Sequence, residues 1–417
     1  MTTPRTGLKI DPKTTIGEIL NRHPAVGLAV GAIRDGRLEF FHGHGFADIA
    51  SRTPITEDTV FRVASITKTF TAIAVMQLWE RGSIELDAPA NDYLRAYRLI
   101  PAKATHRPAT IRHLLTHTAG LPQMLHASRA YKPILGETVP FSSRVPTLAE
   151  FYRGGLLLVA EPGTRLIYSN HGFGTLGQIV EDVTGEPLHR YLREHLFEPL
   201  GMVDTDLVRS ERVKSRLATG YRLRSDGPQP ATDWETVLTG AGAIYSTPRD
   251  MARYVAALLA GGKGEQGAIL EPETLASMYA PQYRPDVRLP GIGLAFFRHE
   301  AGGHLLVAHD GLGPGFSSAM CLAPDDGVGV VAFTNGARGA KAWLEPEMAG
   351  LLRELLGVPD DVIRTDVAHT RSCGAICAAG TRSAARRGTC KGGSSPDRRC
   401  SSGAVSSRFA RWARSRR

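Results

Sequence analysis

The chain has 417 residues, 42% of them hydrophobic, and reads as a soluble, globular protein of two or three domain-sized units. Its formal net charge of +9 is unevenly spread: residues 365–417 hold 12 of the 50 Lys and Arg but only Asp366 and Asp397 of the 41 acidic residues, so residues 1–364 are close to neutral and need no polyanionic partner. Cys321 is the only cysteine before residue 365, which excludes a disulfide-stapled core.

In chain order, residues 1–10 lack the apolar run and small-residue cleavage site of an export signal, and no stretch reaches the length of a membrane-spanning helix, so a cytoplasmic location is expected. Residues 25–33 predict a strand, Arg34-Asp35-Gly36 a tight turn, and Leu38-Glu39-Phe40-Phe41 the returning strand of a β-hairpin. From Ser65 to Gly82 the chain is apolar nearly all round, with Ile73, Val75, Met76, Leu78 and Trp79, which predicts a buried helix that Gly82 stops. Further helical stretches are expected at 111–115 and 173–183, and a helical pair over 181–200 broken at Gly185-Glu186-Pro187.

Late in the chain, residues 291–297, 304–309 and 327–334 read as strands, joined by turns at Gly302-Gly303 and Pro324-Asp325-Asp326-Gly327. Leu344, Met348, Leu351, Leu352, Leu355 and Leu356 then recur at helical spacing, so a helix is expected to cover one face of the sheet. Strands near both ends with a helical middle predict an α+β fold, in which an antiparallel sheet of five or more strands carries flanking helices and an inserted helical lobe. The expected division is 1–60 with 236–364 as the α/β lobe, 61–235 as the helical lobe, and 365–417 as a disordered tail rich in Ala, Gly and Ser. The tail cysteines Cys373, Cys377, Cys390 and Cys400 lack the paired spacing of a zinc site, and nucleic-acid binding would rest on this basic tail alone.

Three motifs carry chemistry. Ser65-Ile66-Thr67-Lys68 places a hydroxyl and an amine at i and i+3, on one face of a helix, where lysine can activate serine. Burial and the helix N-terminus make Lys68 easier to deprotonate. Tyr168-Ser169-Asn170, on a loop, points a phenol and an amide toward a cleft, and His309-Asp310-Gly311 ends a predicted strand whose glycine permits close approach of a ligand. Taken alone, Ser-x-x-Lys is more often an N-cap serine with a solvated lysine, and the flanking sequence with the two further motifs reverses that reading.

These motifs, in this order, resemble the serine β-lactamase and penicillin-binding-protein superfamily, in particular its class C β-lactamase-like (family VIII-type) esterase branch. The segments 114–122, 197–202 and 242–248 (Leu-Leu-Thr-His-Thr-Ala-Gly-Leu-Pro, Phe-Glu-Pro-Leu-Gly-Met and Gly-Ala-Ile-Tyr-Ser-Thr-Pro) are similar to the same branch. The resemblance implies Ser65 as the acylated nucleophile, Lys68 as its base and Tyr168 as the group that passes the proton to the leaving group. It further implies that Asn170 holds substrate and positions Lys68, that His309 and Gly311 line the substrate strand, and that the backbone N–H groups of Ser65 and Leu312 form the oxyanion hole.

Where many penicillin-recognising members carry Lys-Thr-Gly, this chain has His309-Asp310-Gly311. Histidine is only partly charged at neutral pH, so a permanent cation for a β-lactam carboxylate is missing and neutral ester substrates are expected. Asp310 would repel an anionic substrate or pair with a nearby base. The expected activity is a serine carboxylesterase that acts on a small-molecule ester without cofactor, metal or membrane. The alternatives are a D-aminopeptidase, D-alanyl carboxypeptidase or weak β-lactamase, and a catalytically silent scaffold of the same fold. No Gly-x-Ser-x-Gly elbow or His-Glu-x-x-His motif occurs, and His117 reads as a structural hydrogen-bonding residue. Oligomeric state is open from sequence.

Overall fold

The computed structural model describes residues 11–123, 137–153 and 155–359; the expected basic tail lies outside them. Its centre is a seven-stranded antiparallel sheet built from both ends of this segment. The strands are β1 (Gly27–Arg34), β2 (Arg37–Asp48), β3 (Thr53–Pro54), β4 (Phe297–Ala301), β5 (His304–Gly313), β6 (Phe316–Ala323) and β7 (Val328–Thr334). The spatial order is β4-β5-β6-β7-β1-β2-β3, and β1 joins the two ends by pairing with β7 in a register from Leu28 opposite Thr334 to Arg34 opposite Val328.

The amino-terminal hairpin forms where its sequence predicts it. Asp35 and Gly36 both have positive φ, +50° and +75°, and so supply the two left-handed residues that a type I′ turn needs. β1 is buried along nearly its whole length because both faces of the sheet are covered. On one face Leu28, Val30 and Ala32 pack with Ile16 and Ile19 of α1 (Pro12–Arg22) and with Leu344, Met348, Leu351 and Leu352 of α2, which spans Ala340–Leu356. On the other face Ala29, Ile33, Val331 and Phe333 join the larger core with the helical middle of the chain.

The helical middle contributes the buried helix α3 (Thr67–Glu80), α4 (Asn170–Thr184) and α5 (Pro248–Leu259). α3 is preceded by a 3₁₀ turn over Ala64–Ile66, so Ser65 lies in that turn and not inside the α-helix. Gly82, at φ +68°, closes the other end, where the N–H of Ser83 donates to Leu78 O at 2.9 Å. The break at residues 185–187 is also present: Gly185 caps α4 with φ +78° and a new helix starts at Leu188.

Two strand expectations change. The stretch 291–296 is irregular, with Gly291 and Ala295 at positive φ (+78° and +68°), and regular pairing begins only at Phe297. β6 is not among the strands expected from sequence, yet it is fully buried in the middle of the sheet. Its sequence, Phe-Ser-Ser-Ala-Met-Cys-Leu-Ala, shows no alternation because neither face meets water. Among the described residues no helix is long and apolar enough to cross a membrane.

Candidate active site

The site is assembled on the 3₁₀ turn before α3. Ala64 adopts φ +46°, a costly conformation for an alanine, immediately before Ser65. The turn is held from the sheet side by Ser318 Oγ of β6, which donates to Val63 O at 2.8 Å. Strand β5 runs directly against it: a Cβ on Gly311 would stand 2.3 Å from Val63 O, 2.3 Å from Ser318 Oγ and 3.1 Å from Ser65 N. The requirement for glycine at 311 therefore comes from the Ser65 turn itself, beyond the ligand approach expected from sequence. Leu312 is next along β5, half-exposed, opposite Ser317.

Lys68 is fully buried in the first turn of α3. Its Nζ is 2.9 Å from Ser65 Oγ and donates to Ala241 O at 2.8 Å. Burial pushes the ammonium down to about 7, opposed in part by the negative charges of Glu137 and Asp310. The 239–244 segment that supplies Ala241 O is docked along α3 by two further bonds, from Thr71 Oγ1 to Gly240 O (2.7 Å) and from Ile244 N to Thr67 Oγ1 (3.1 Å). Gly240 is needed there, since its Cβ would lie 2.6 Å from Phe173 O of α4.

Tyr168 sits with its ring centroid 5.0 Å from Lys68 Nζ. Burial holds its phenol well above the usual tyrosine range, and contact with the Ser65 hydroxyl offsets only part of this. The phenol is thus protonated near neutral pH. His117 fixes the Tyr168 loop. Its Nδ1 accepts the Ser169 N–H at 3.1 Å, its carbonyl accepts the Ile167 N–H at 2.7 Å, and its ring packs 4.4 Å from that of Tyr168. Accepting at Nδ1 places its proton on Nε2, and burial pushes its pKa well down.

Asn170 departs from expectation in two respects. It is the first residue of α4 and not part of the loop, and its Nδ2 donates to Glu137 Oε2 at 3.0 Å. Among the described residues Asn170 forms no hydrogen bond to Lys68, whose Nζ is held by the carbonyl of Ala241.

Glu137 is a site residue that sequence reading missed. Its backbone carbonyl accepts from Val237 N (2.9 Å) and Thr236 Oγ1 (3.2 Å), which ties it to the strand pair formed by Thr138–Pro140 and Trp234–Thr236. Its Oε1 is 3.2 Å from His171 Nε2, whose Nδ1 in turn bonds the Tyr152 hydroxyl at 2.7 Å. Burial raises the Glu137 carboxyl, but His171, Asn170 and Lys68 together bring it below the usual glutamate range, so it is ionised. No local motif marks this residue; only the fold brings it beside Asn170.

His309 is buried on β5. Its Nδ1 is 2.7 Å from its neighbour's carbonyl, Asp310 O, and so donates to it, which leaves Nε2 as an unpartnered acceptor. Burial and the nearby Lys68 push its pKa down to about 3. The partly charged histidine expected from sequence is accordingly neutral. Asp310, the next residue along the strand, has a carboxyl raised by burial and feels the charges of Lys341 and Lys68. Glu345 of α2 is held near 7 by burial and by Asp310. Among the described residues, Glu186, Glu194 and His195 are grouped closely enough to suggest a cation, but Arg190 already pairs with both carboxylates.

A serine in a strained turn, a buried lysine against it, a buried phenol and a facing edge of the sheet define the fold and site type of the serine β-lactamase and penicillin-binding-protein class. The chain belongs to the Beta-lactamase family, whose model matches residues 13–352. It is 30% identical over 312 residues to esterase EstB of Burkholderia gladioli, covering 74% of this chain and 78% of that protein. The octameric penicillin-binding protein homologue of Pyrococcus abyssi superposes with a TM-score of 0.68 at 26% identity, over 84% of this chain and 78% of that one. The D-amino acid amidase of Ochrobactrum anthropi SV3, complexed with L-phenylalanine amide, gives a TM-score of 0.64 at 26% identity, over 84% and 98% of the two chains.

Proposed function

We propose that this chain is a serine hydrolase that cleaves carboxylic esters through a covalent acyl-enzyme on Ser65. The observation that carries the reading is the 2.9 Å contact between Ser65 Oγ and the Nζ of a fully buried Lys68 whose pKa lies near 7. A neutral amine that donates one N–H to Ala241 O keeps its lone pair for the Ser65 hydroxyl proton.

Ser65 Oγ would attack the ester carbonyl while Lys68 takes its proton. The oxyanion would be received by the backbone N–H groups of Ser65 and Leu312. Collapse breaks the bond to the alcohol, which takes the Tyr168 proton as Tyr168 is replenished from Lys68. Water, deprotonated along the same route, then releases the acid and restores Ser65.

Neutral His309 supports the choice of esters over β-lactams, since it offers no fixed positive charge to a carboxylate at that place. Similarity to esterase EstB supports the same choice. Amide cleavage uses the same acyl-enzyme, and the resemblance to D-amino acid amidase keeps it as the second reading. The test is turnover of p-nitrophenyl esters of rising chain length, a chromogenic cephalosporin and a p-nitroanilide, each with Ser65→Ala as control. Ester turnover that persists in Ser65→Ala refutes the mechanism, and faster opening of the cephalosporin than of any ester refutes the substrate class.

A further inference from the structure

Strand β5 runs along the cleft like a ruler. At its His309 end the rings lead to Tyr168: the Phe297 centroid lies 5.6 Å from that of His309 and 6.4 Å from that of Tyr168. Two residues on, Gly311 faces Val63 O and Ser65 N, and two further on, Gly313 faces Ala64. Residues at i, i+2 and i+4 share one face of a strand, so these three positions look in turn toward the reacting centre. In the ester reading Tyr168 gives its proton to the alcohol, which places the alcohol at the His309 end. The two substituents of a carbonyl carbon diverge, so the acyl chain runs the other way, past Gly311 toward Gly313.

An aromatic ring stands across that path. A Cβ on Gly313 would lie 2.9 Å from Cζ2 and 3.6 Å from Cη2 of Trp234, and 3.9 Å from Ala64 Cβ. The indole edge therefore fills the space in front of Gly313, roughly 6.6 Å along the strand from Gly311. Trp234 is held in place by its backbone and by its ring. Its N–H donates to Asp233 Oδ1 at 2.9 Å, its carbonyl accepts from Arg62 Nη2, and its ring lies 4.5 Å from the buried Arg62 guanidinium. A desolvated cation–π contact of this kind resists a swing of the ring.

Beyond the indole is a cavity of about 260 Å³. Trp234 and Pro314 line it next to Gly313, whereas Ser65, Ala64 and Gly313 do not, and Leu217, Ala231 and Phe316 supply apolar surface. The charged groups in its wall are already matched. Asp233 accepts from Arg62 Nη2 at 2.9 Å and from Arg209 Nη1 and Nη2 at 2.6 and 2.7 Å, and Lys214 donates to Glu211 at 3.2 Å. With those charges paired among themselves, the cavity has room for hydrocarbon.

Resting on the ester reading above, we infer that Trp234 is a specificity-determining residue that ends the acyl subsite at Gly313. The preferred substrates are accordingly esters of short acids, acetyl to butanoyl. Removing the indole joins the cavity to the cleft and admits longer chains.

The test follows the full chain, Trp234→Ala and Trp234→Phe on p-nitrophenyl acetate, butanoate, hexanoate and octanoate, and on ethyl and octyl acetate, which lengthen the alcohol alone. The readout is kcat/KM for the octanoate divided by that for the acetate within one preparation, so any inactive fraction cancels. Each methylene moved from water into the opened space is worth about fourfold, so Trp234→Ala should raise this ratio by at least about tenfold while the octyl-to-ethyl ratio stays the same. Phenylalanine keeps a ring over Arg62 but withdraws the edge that meets Gly313, so a smaller rise is expected.

A parent that favours octanoate over butanoate, an acyl ratio unmoved by Trp234→Ala, or a rise in the alcohol series in place of the acyl series overturns this inference and leaves the ester reading standing. Failure of the parent to hydrolyse any of these esters overturns the ester reading and this inference with it.

Discussion

Replacing Lys68 by arginine keeps a positive side chain of similar length but removes the ability to give up the proton, since a guanidinium stays charged throughout the working pH range. A lysine at its ordinary value of 10.5 would be neutral in only about 0.03% of molecules at pH 7, whereas at about 7 roughly half are neutral. Burial therefore raises the population of neutral amine by about three orders of magnitude. If Lys68 is the base, Lys68→Arg should lower kcat/KM on a p-nitrophenyl ester by about 10³-fold or more.

In the unaltered protein, kcat/KM on an uncharged ester should rise with pH below about 7 and level off above it, as Lys68 loses its proton. Stability moves with the same group. The folded pKa lies below the unfolded one, so the unfolded state binds more protons between about 7 and 10.5, and stability rises with pH across that window. Lys68→Met should consequently raise the melting temperature more at pH 7 than at pH 10, with up to about 4 kcal/mol at stake at the lower pH. Stopped-assay pH profiles and thermal melts check both. A flat rate profile from pH 5 to 9, or Lys68→Arg retaining more than a tenth of the activity, would refute the assignment of Lys68 as base.

Tyr168→Phe removes the buried proton donor while keeping the ring that packs on His117, so burst-phase acylation should slow by roughly 10²–10³-fold with the melting temperature nearly unchanged. Gly311→Ala forces a methyl group against Val63 O and Ser65 N, and should cost at least about 10²-fold in kcat, measured on any ester the parent turns over, because it moves the nucleophile turn. Glu345→Gln should raise the melting temperature at pH 8 but not at pH 4. The folded carboxyl, near 7, binds a proton that the unfolded one has lost above about 4.5, so its destabilising effect appears as pH rises through that interval.

The hairpin at 27–48, the buried helix after Ser65, the break at 185–187 and the last helix were all legible because each depends on local terms: turn residues with positive φ, apolar periodicity and helix stops. Their pairing into one sheet was legible too, from strand patterns near both ends of the segment. β6 was not, since a strand covered on both faces loses the alternation that marks strands, and its Ser-Ser pair imitates a loop. Gly291 and Ala295 concealed the reverse error, an apolar run whose backbone turns away from extended geometry.

Within the site, sequence alone determined the pairing of Ser65 with Lys68. Ser65 and Lys68 are three residues apart on adjoining helical turns, and their proximity follows from helix geometry. Tertiary structure decided what those atoms experience. Lys68 is driven toward neutrality by residues packed around it from distant parts of the chain, Ala241 aims it, and Glu137 engages the amide that sequence had assigned to the lysine. Desolvation and charge depend on everything that surrounds a group in space, so one-dimensional spacing carries the chemistry of the Ser65–Lys68 pair but not the electrostatics that set its pKa and its choice of substrate.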